Sequence, residues 1–289
     1  MGNEVQLNRY KKLINYIDEN FKEDISIPKI EAVCHYSYRN INRIFEALHQ
    51  ETIGKYIKRL RLEKAAQYLA YSGLGVSDIA YEVGFKDRAA FSKAFKSKYG
   101  QAPSAFRMSN ESIRVTAQQL LLQEEGLDRQ KLPFEIVYLP EFEYIILEYL
   151  GSYNDITAIE KVAQQLYDYA AAKEILSERS IFMTEIIDDS ELSDHIHLRY
   201  NVAFILERPL KFEPGGLFRI KSHKRQKYAK FIHQGTHQSC MHFHNRIYAL
   251  WMLDIQLELE DRPTLEFYPN YEEDVPPHEM LTEIYIPVN

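Results

Sequence analysis

The chain has 289 residues, 45% hydrophobic and 27% charged, a balance that fits a globular protein and excludes collagen-like and low-complexity classes. No apolar run approaches the roughly 20 residues of a bilayer-spanning helix, and Met1 to Tyr10 lacks a signal-peptide core, so a cytoplasmic location without a membrane partner is expected. The net charge of −7 is unevenly spread: residues 1–110 carry 18 basic and 12 acidic residues, the remainder 17 and 30, so only the first part (+6) is suited to a polyanion.

The first part predicts a series of helices, because apolar residues recur at intervals of three and four. Leu13, Ile14, Ile17 and Phe21 mark one helix. Ser26 with Pro28 behind it starts a second, and Ser37 opens a third whose buried stripe is expected to be Ile41, Ile44, Phe45 and Leu48. A long fourth helix runs from about Ile53 to Tyr71 and is ended by Ser72, Gly73 and Gly75. Ser77 is expected to cap a fifth, Gly84 to make a turn, Asp87 to cap a sixth with Phe91 and Phe95 inward, and Pro103 to begin a last one. Ser37 to Phe45 spans eight residues, as does Asp87 to Phe95, with Ile41 corresponding to Phe91. Each stretch follows a short helix and a tight turn, which is a helix-turn-helix used twice and joined by one long helix.

Residues 111–132 are polar and then ambiguous in pattern, and are expected to form a linker. From residue 133 to 289, strand-like runs rich in Tyr, Phe, Ile and Val alternate with two helices, Ile156 to about Lys173 and Ser239 to about Leu257. Glu148-Tyr-Leu-Gly-Ser-Tyr153 precedes the first helix as Ile232-His-Gln-Gly-Thr-His237 precedes the second. Two strands follow each: Ile181 to Ile187 with His197 to Leu206, then Thr264 to Tyr268 with Glu283 to Val288. The expected fold is therefore an all-α tandem helix-turn-helix domain followed by an α+β domain of two pseudo-twofold strand-helix-strand-strand repeats, with a cleft between the halves.

Tyr56-Ile-Lys-Arg-Leu-Arg-Leu62 with Ala65 and Leu69, Ile79-Ala80, Gly84-Phe85, Phe91-Ser-Lys-Ala-Phe-Lys96, Tyr99-Gly100, Pro103 and Phe106-Arg107 resemble, at these spacings, the AraC/XylS family DNA-binding domain. A departure is His35, where the first turn of the family usually has glycine; His enters left-handed backbone more readily than most residues. Opposite the apolar stripe of the third helix stand Arg39, Asn42, Arg43 and Glu46. Arg bonds guanine O6 and N7 together and Asn bonds adenine N6 and N7 together, so this face is suited to reading bases. Fifty residues on, the sixth helix carries Ala89, Ser92, Lys93 and Lys96 with Arg88 adjacent, a set better suited to phosphates.

Arg262-Pro-Thr-Leu-Glu-Phe-Tyr268 followed by Asn270, Pro276-Pro277 and Glu283-Ile-Tyr-Ile-Pro287 resembles the GyrI-like effector-binding domain, also found on regulators of multidrug transport. The resemblance implies an acidic residue in the strand at Glu266. Alternation puts Thr264, Glu266 and Tyr268 on one face of that strand and Leu265 and Phe267 on the other. A carboxylate among aromatic rings favours flat, apolar, cationic ligands, while the plainer role for Glu266 is a bond to backbone or an ion pair with an Arg. Tyr149, Phe204 and Trp251 are further candidates to line the cleft. The histidines His233, His237, His242 and His244 invite a metal reading, but without Cys or carboxylate at the usual zinc spacing they are read as a polar run. Cys34 and Cys240 are read as small buried residues.

With no Walker loop, dinucleotide fingerprint or nucleophile elbow, no cofactor, metal or catalytic residue is expected. The expected function is a sequence-specific transcription regulator, in similar proteins more commonly an activator. Its expected partners are promoter DNA, a small-molecule effector and RNA polymerase. Two alternatives come with the GyrI-like resemblance, a small-molecule hydrolase and a protein-binding module.

Overall fold

The computed structural model describes residues 2–111, 132–177, 179–188, 198–254, 257, 259–260, 262–270 and 275–289. The expected linker falls almost wholly outside them. The chain divides near residue 112 into two compact units. No described helix is long and apolar enough to cross a membrane.

The first unit is helical: α1 (Gly2–Asn20), α2 (Ile27–Cys34), α3 (Tyr38–His49), α4 (Ile53–Tyr71), α5 (Val76–Glu82), α6 (Arg88–Tyr99) and a last helix, α7, over residues 103–111. α3 and α6 have equal length and are offset by fifty residues. Each ends on a left-handed residue, Gln50 and Gly100. Ile41 and Phe45 in one, Phe91 and Phe95 in the other, are fully buried, so the same apolar positions seat both helices. His35 adopts the left-handed conformation (φ 50°) between α2 and α3, as the turn requires. Two expectations need correction. Leu48 is exposed, and the third buried position of α3, after Ile41 and Phe45, is His49, held by the Tyr10 hydroxyl of α1 at 2.7 Å and stacked on Phe45. Ser77 lies inside α5, which Gly75 caps instead.

α4 joins the two motifs by polar contacts as well as apolar ones. Arg59 bonds Glu51 and Glu63, and Lys98 of α6 reaches the other oxygen of Glu63, so a buried and a half-buried carboxylate are neutralised by two cations. Arg61 donates to the carbonyls of Phe21, Glu23 and Gly84, tying the end of α1 to the turn of the second motif.

The second unit is an eight-stranded antiparallel sheet with two helices. Its elements are β1 (Glu135–Leu139), β2 (Phe142–Leu150), α8 (Ile156–Ala172), β3 (Phe182–Ile186), β4 (Arg199–Ile205), β5 (Arg219–His223), β6 (Gln226–Gln234), α9 (His237–Asp254), β7 (Thr264–Phe267) and β8 (Leu281–Pro287). The order β1-β6-β8-β7-β3-β4-β2-β5 is symmetric about the β7/β3 pair, so β2-α8-β3-β4 and β6-α9-β7-β8 are the two halves of a pseudo-twofold fold. Asp155 caps α8 by accepting from Ala158 N–H, and Thr236 accepts from Ser239 N–H at the start of α9, which begins two residues before the expected Ser239.

Connectivity forces the sheet to curl. β1 and β2 are joined by Pro140 and Glu141 alone, yet lie six strand positions apart in the order. A flat sheet would separate them by about 29 Å at about 4.8 Å per strand, far beyond the reach of a two-residue connection. β5 and β6, joined by Lys224 and Arg225, repeat the constraint at the other end. His223 pins the seam, with Nδ1 on the Pro140 carbonyl, Nε2 on the Tyr228 hydroxyl and its ring stacked on Phe142.

Both sheet faces are covered. One packs Ile145, Leu147, Tyr200, Val202 and Phe204 on α8, and Ala229, Phe231, Ile284 and Ile286 on α9. The opposite face gathers Tyr144, Ile146, Met183, Ala203, Tyr228, Leu265 and Tyr285 inside the curl. There Glu185, bonded by Tyr144, Asn201 and Lys221, is a buried carboxylate with all partners at 2.6–2.7 Å.

Candidate functional site

In the helical unit, Arg39, Arg43 and Glu46 of α3 are exposed, as are Arg88, Ala89, Lys93 and Lys96 of α6, while Ser92 is half-buried. Among the described residues none of these five cations forms an ion pair, whereas Lys98 is consumed by Glu63. Asn42 is placed differently from its exposed neighbours. It is half-buried, and its Oδ1 accepts the Ile53 N–H at 3.0 Å, at the first turn of α4. The Asn42 amide thus ties α3 to α4 through the same oxygen that adenine reading would use to accept from N6.

In the sheet unit, Glu266 of β7 is buried. It pairs in register with Thr184 of β3, so it lies at the symmetry centre of the fold. Its Oε2 accepts from the Tyr268 hydroxyl at 2.6 Å and the Thr184 hydroxyl at 3.2 Å. Its Oε1 meets His244 Nε2 at 2.6 Å and the Cys240 thiol at 3.8 Å. Burial alone pushes this carboxyl up, but the hydrogen bond and charge of His244, with the hydroxyls of Tyr268 and Thr184, outweigh it and hold it at about 2. Burial, then the Glu266 charge, pushes the Cys240 thiol up. The same two causes act in the same order on the Tyr200 and Tyr268 phenols. At neutral pH the centre is thus one carboxylate among neutral phenols.

The expected site residues separate under this geometry. Tyr268 touches Glu266 directly. Phe204 stands one ring away, packed on Phe182 at 5.3 Å, which packs on Tyr268 at 5.7 Å. Tyr149 faces Tyr200 across the β2/β4 pair, but its hydroxyl turns back to the Ser152 carbonyl. Trp251 belongs to α9, and its side chain lies outside the described residues. The plainer role for Glu266 does not hold as expected, since its described partners are side-chain hydroxyls, a thiol and an imidazole. Sequence analysis missed Thr184, Tyr200 and Cys240, and it read His244 as one of a polar run. The available signal was the four-residue spacing of Cys240 and His244, which puts both on one face of a helix.

Residues 31–109 match the family model of a helix-turn-helix domain, and residues 132–289, more than half the chain, match that of the GyrI-like small molecule binding domain. The bifunctional transcriptional activator/DNA repair enzyme AdaA of Bacillus subtilis is 32% identical over 99 residues, which cover 34% of this chain and 47% of AdaA. The transcriptional regulator Rob of Salmonella typhimurium is 29% identical over 101 residues, 35% of each chain. The chain therefore spans less than half the length of these two relatives. A solved EcmrR–DNA complex superposes with a TM-score of 0.48 at 17% identity, over 86% of this chain and 98% of that one.

Proposed function

The chain belongs to the AraC-type regulators with a C-terminal GyrI-like small molecule binding domain, and from that premise we propose a one-component transcription regulator of the cytoplasm. In this reading α3 and α6 enter successive major grooves of promoter DNA, and the sheet unit binds an aromatic, cationic effector at Glu266. The observation that carries the DNA half is the repeat itself: two equal helices, fifty residues apart, each with exposed side chains opposite its buried stripe. Arg39 and Arg43 read bases, while Arg88, Lys93 and Lys96 hold phosphates. Selection of bound sequences from a random duplex pool by the full chain tests this. One enriched motif is expected, and Arg43→Ala should relax its preference at one position at a cost of about 1–3 kcal/mol. Uniform binding to the whole pool would overturn the reading.

The effector half rests on a buried carboxylate flanked by Tyr268, Tyr200 and Phe182. An aromatic cation meets there a counter-charge and ring faces in a poorly solvated setting. Glu266→Gln keeps the size and most hydrogen bonds but deletes the charge. Removing one partner of a desolvated charged pair costs about 2–5 kcal/mol, whereas an exposed carboxylate is worth about 1 kcal/mol or less. Fluorescence titration with matched cationic and neutral dyes should show the cationic ones weakened selectively. An unchanged cation preference would sink the assignment. The effector is held and released unchanged, so mass spectrometry after prolonged incubation should return it intact. The consequence for promoters is contact with RNA polymerase and activation.

A further inference from the structure

We propose that Cys240, His244 and Glu266 form a binding site for a divalent transition-metal ion of the zinc class. One donor atom from each of the three residues lies within 4.8 Å of the others. α9 supplies the thiol and the imidazole one helical turn apart, and β7 supplies the carboxylate across from that face. A thiolate, an imidazole and a carboxylate together suit zinc or cobalt, and suit magnesium and calcium poorly.

The geometry is close to what coordination needs. A tetrahedral ion with bonds of about 2.0 Å to N and O and about 2.3 Å to S requires N···O and S···O separations of about 3.3 and 3.5 Å. The observed separations from Glu266 Oε1 are 2.6 Å to His244 and 3.8 Å to Cys240. They lie on either side of the required values, and with all three donor atoms within 4.8 Å of one another, side-chain rotations that move them by on the order of 1 Å open the site. The outer contacts are those of an oriented ligand set. Tyr268 and Thr184 engage Oε2 and leave Oε1 turned to the helix. On binding, the thiol proton leaves to solvent and a sulfur–metal bond forms. The imidazole gives up its Nε2 proton, to its own bare Nδ1 if neutral and to solvent if charged, so that Nε2 becomes the ligand. Three protein ligands leave one position of a tetrahedron for water or a small molecule.

The site shares Glu266 with the effector reading without depending on it. The full chain, stripped with chelator, should take up one Co²⁺ per molecule, with intense visible bands of tetrahedral cobalt and a near-ultraviolet sulfur-to-cobalt charge-transfer band. Cys240→Ser should abolish the charge-transfer band and Cys34→Ala should retain it. X-ray absorption of the zinc-loaded wild type needs no variant, and should give one sulfur at about 2.3 Å with lighter ligands near 2.0 Å. No cobalt bands, a charge-transfer band that survives Cys240→Ser, or zinc without a sulfur neighbour would each overturn the proposal. Dye binding measured in chelator separates the two readings: cobalt uptake with no cation preference leaves the metal site standing and removes the effector assignment, and the reverse pattern does the opposite.

Discussion

At Glu266, charge and burial act against each other, and the hydrogen-bonding partners decide the outcome. A carboxylate held at about 2, against an ordinary 4.5, binds its proton less readily in the folded state than in the unfolded one. Its contribution is therefore fully present above about pH 4.5 and is lost as pH falls toward about 2, with a size on the order of 3 kcal/mol. Urea denaturation across that window should show wild type losing more stability than Glu266→Gln, whose amide does not titrate; parallel curves would mean that the carboxylate is better solvated than the geometry implies. His223 has the same sign by another route. Burial is the largest cause lowering it from 6.5, so protonation opposes folding and stability falls as pH drops below about 6.5. His223→Gln should remove that part of the pH dependence, since His223 holds the seam of the curled sheet.

Among the elements, the first unit is stiffened at the Gly84 turn. Gly84 has φ 84°, and a Cβ there would land on the Lys22 carbonyl. Gly84→Ala should destabilise the helical unit by at least the roughly 1–2 kcal/mol of left-handed backbone strain, read as a lower urea midpoint, with a matching loss of DNA binding. An unchanged midpoint would show that the turn relaxes freely. The helices of this unit were legible from their turn signals and their period: Asp87, read as a cap, accepts at the start of α6 with its side-chain oxygen, and the buried positions recur fifty residues apart. Leu48 and His49 were not, because a helical stripe fixes a face only to within a residue, and the Tyr10 hydroxyl that takes His49 inward lies 39 residues away. In the sheet the two halves were legible from their matching glycine turns. The inner core was not: Tyr144 to Leu147 are buried on both faces, which erases the alternation that would have revealed two layers. The Glu266 strand was legible by period two, but its partners His244, Cys240 and Thr184 come from other elements, and only the fold brings them together.

At the scale of the whole molecule, a chain of net charge −7 is expected to bind a polyanion, and the resolution lies in what salt dependence counts. Affinity for duplex DNA falls with salt because each neutralised phosphate releases condensed counterions, a slope of about −0.9 per contact in a log–log plot. The slope reports direct contacts and is blind to charges that touch no phosphate. The exposed cations of α3 and α6 should therefore set it, whatever the −13 carried beyond residue 110. Lys96→Ala should weaken specific and random duplexes alike and make the slope shallower by about one. Replacing one exposed acid of the sheet unit, such as Glu141, with glutamine changes the net charge by the same amount in the opposite sense, yet should leave the slope where it was. Fluorescence anisotropy of the full chain over a salt series measures both. If the slope followed net charge instead, shallower for the lysine variant and steeper for the glutamate one, then the basic helices would not be the surface that meets DNA.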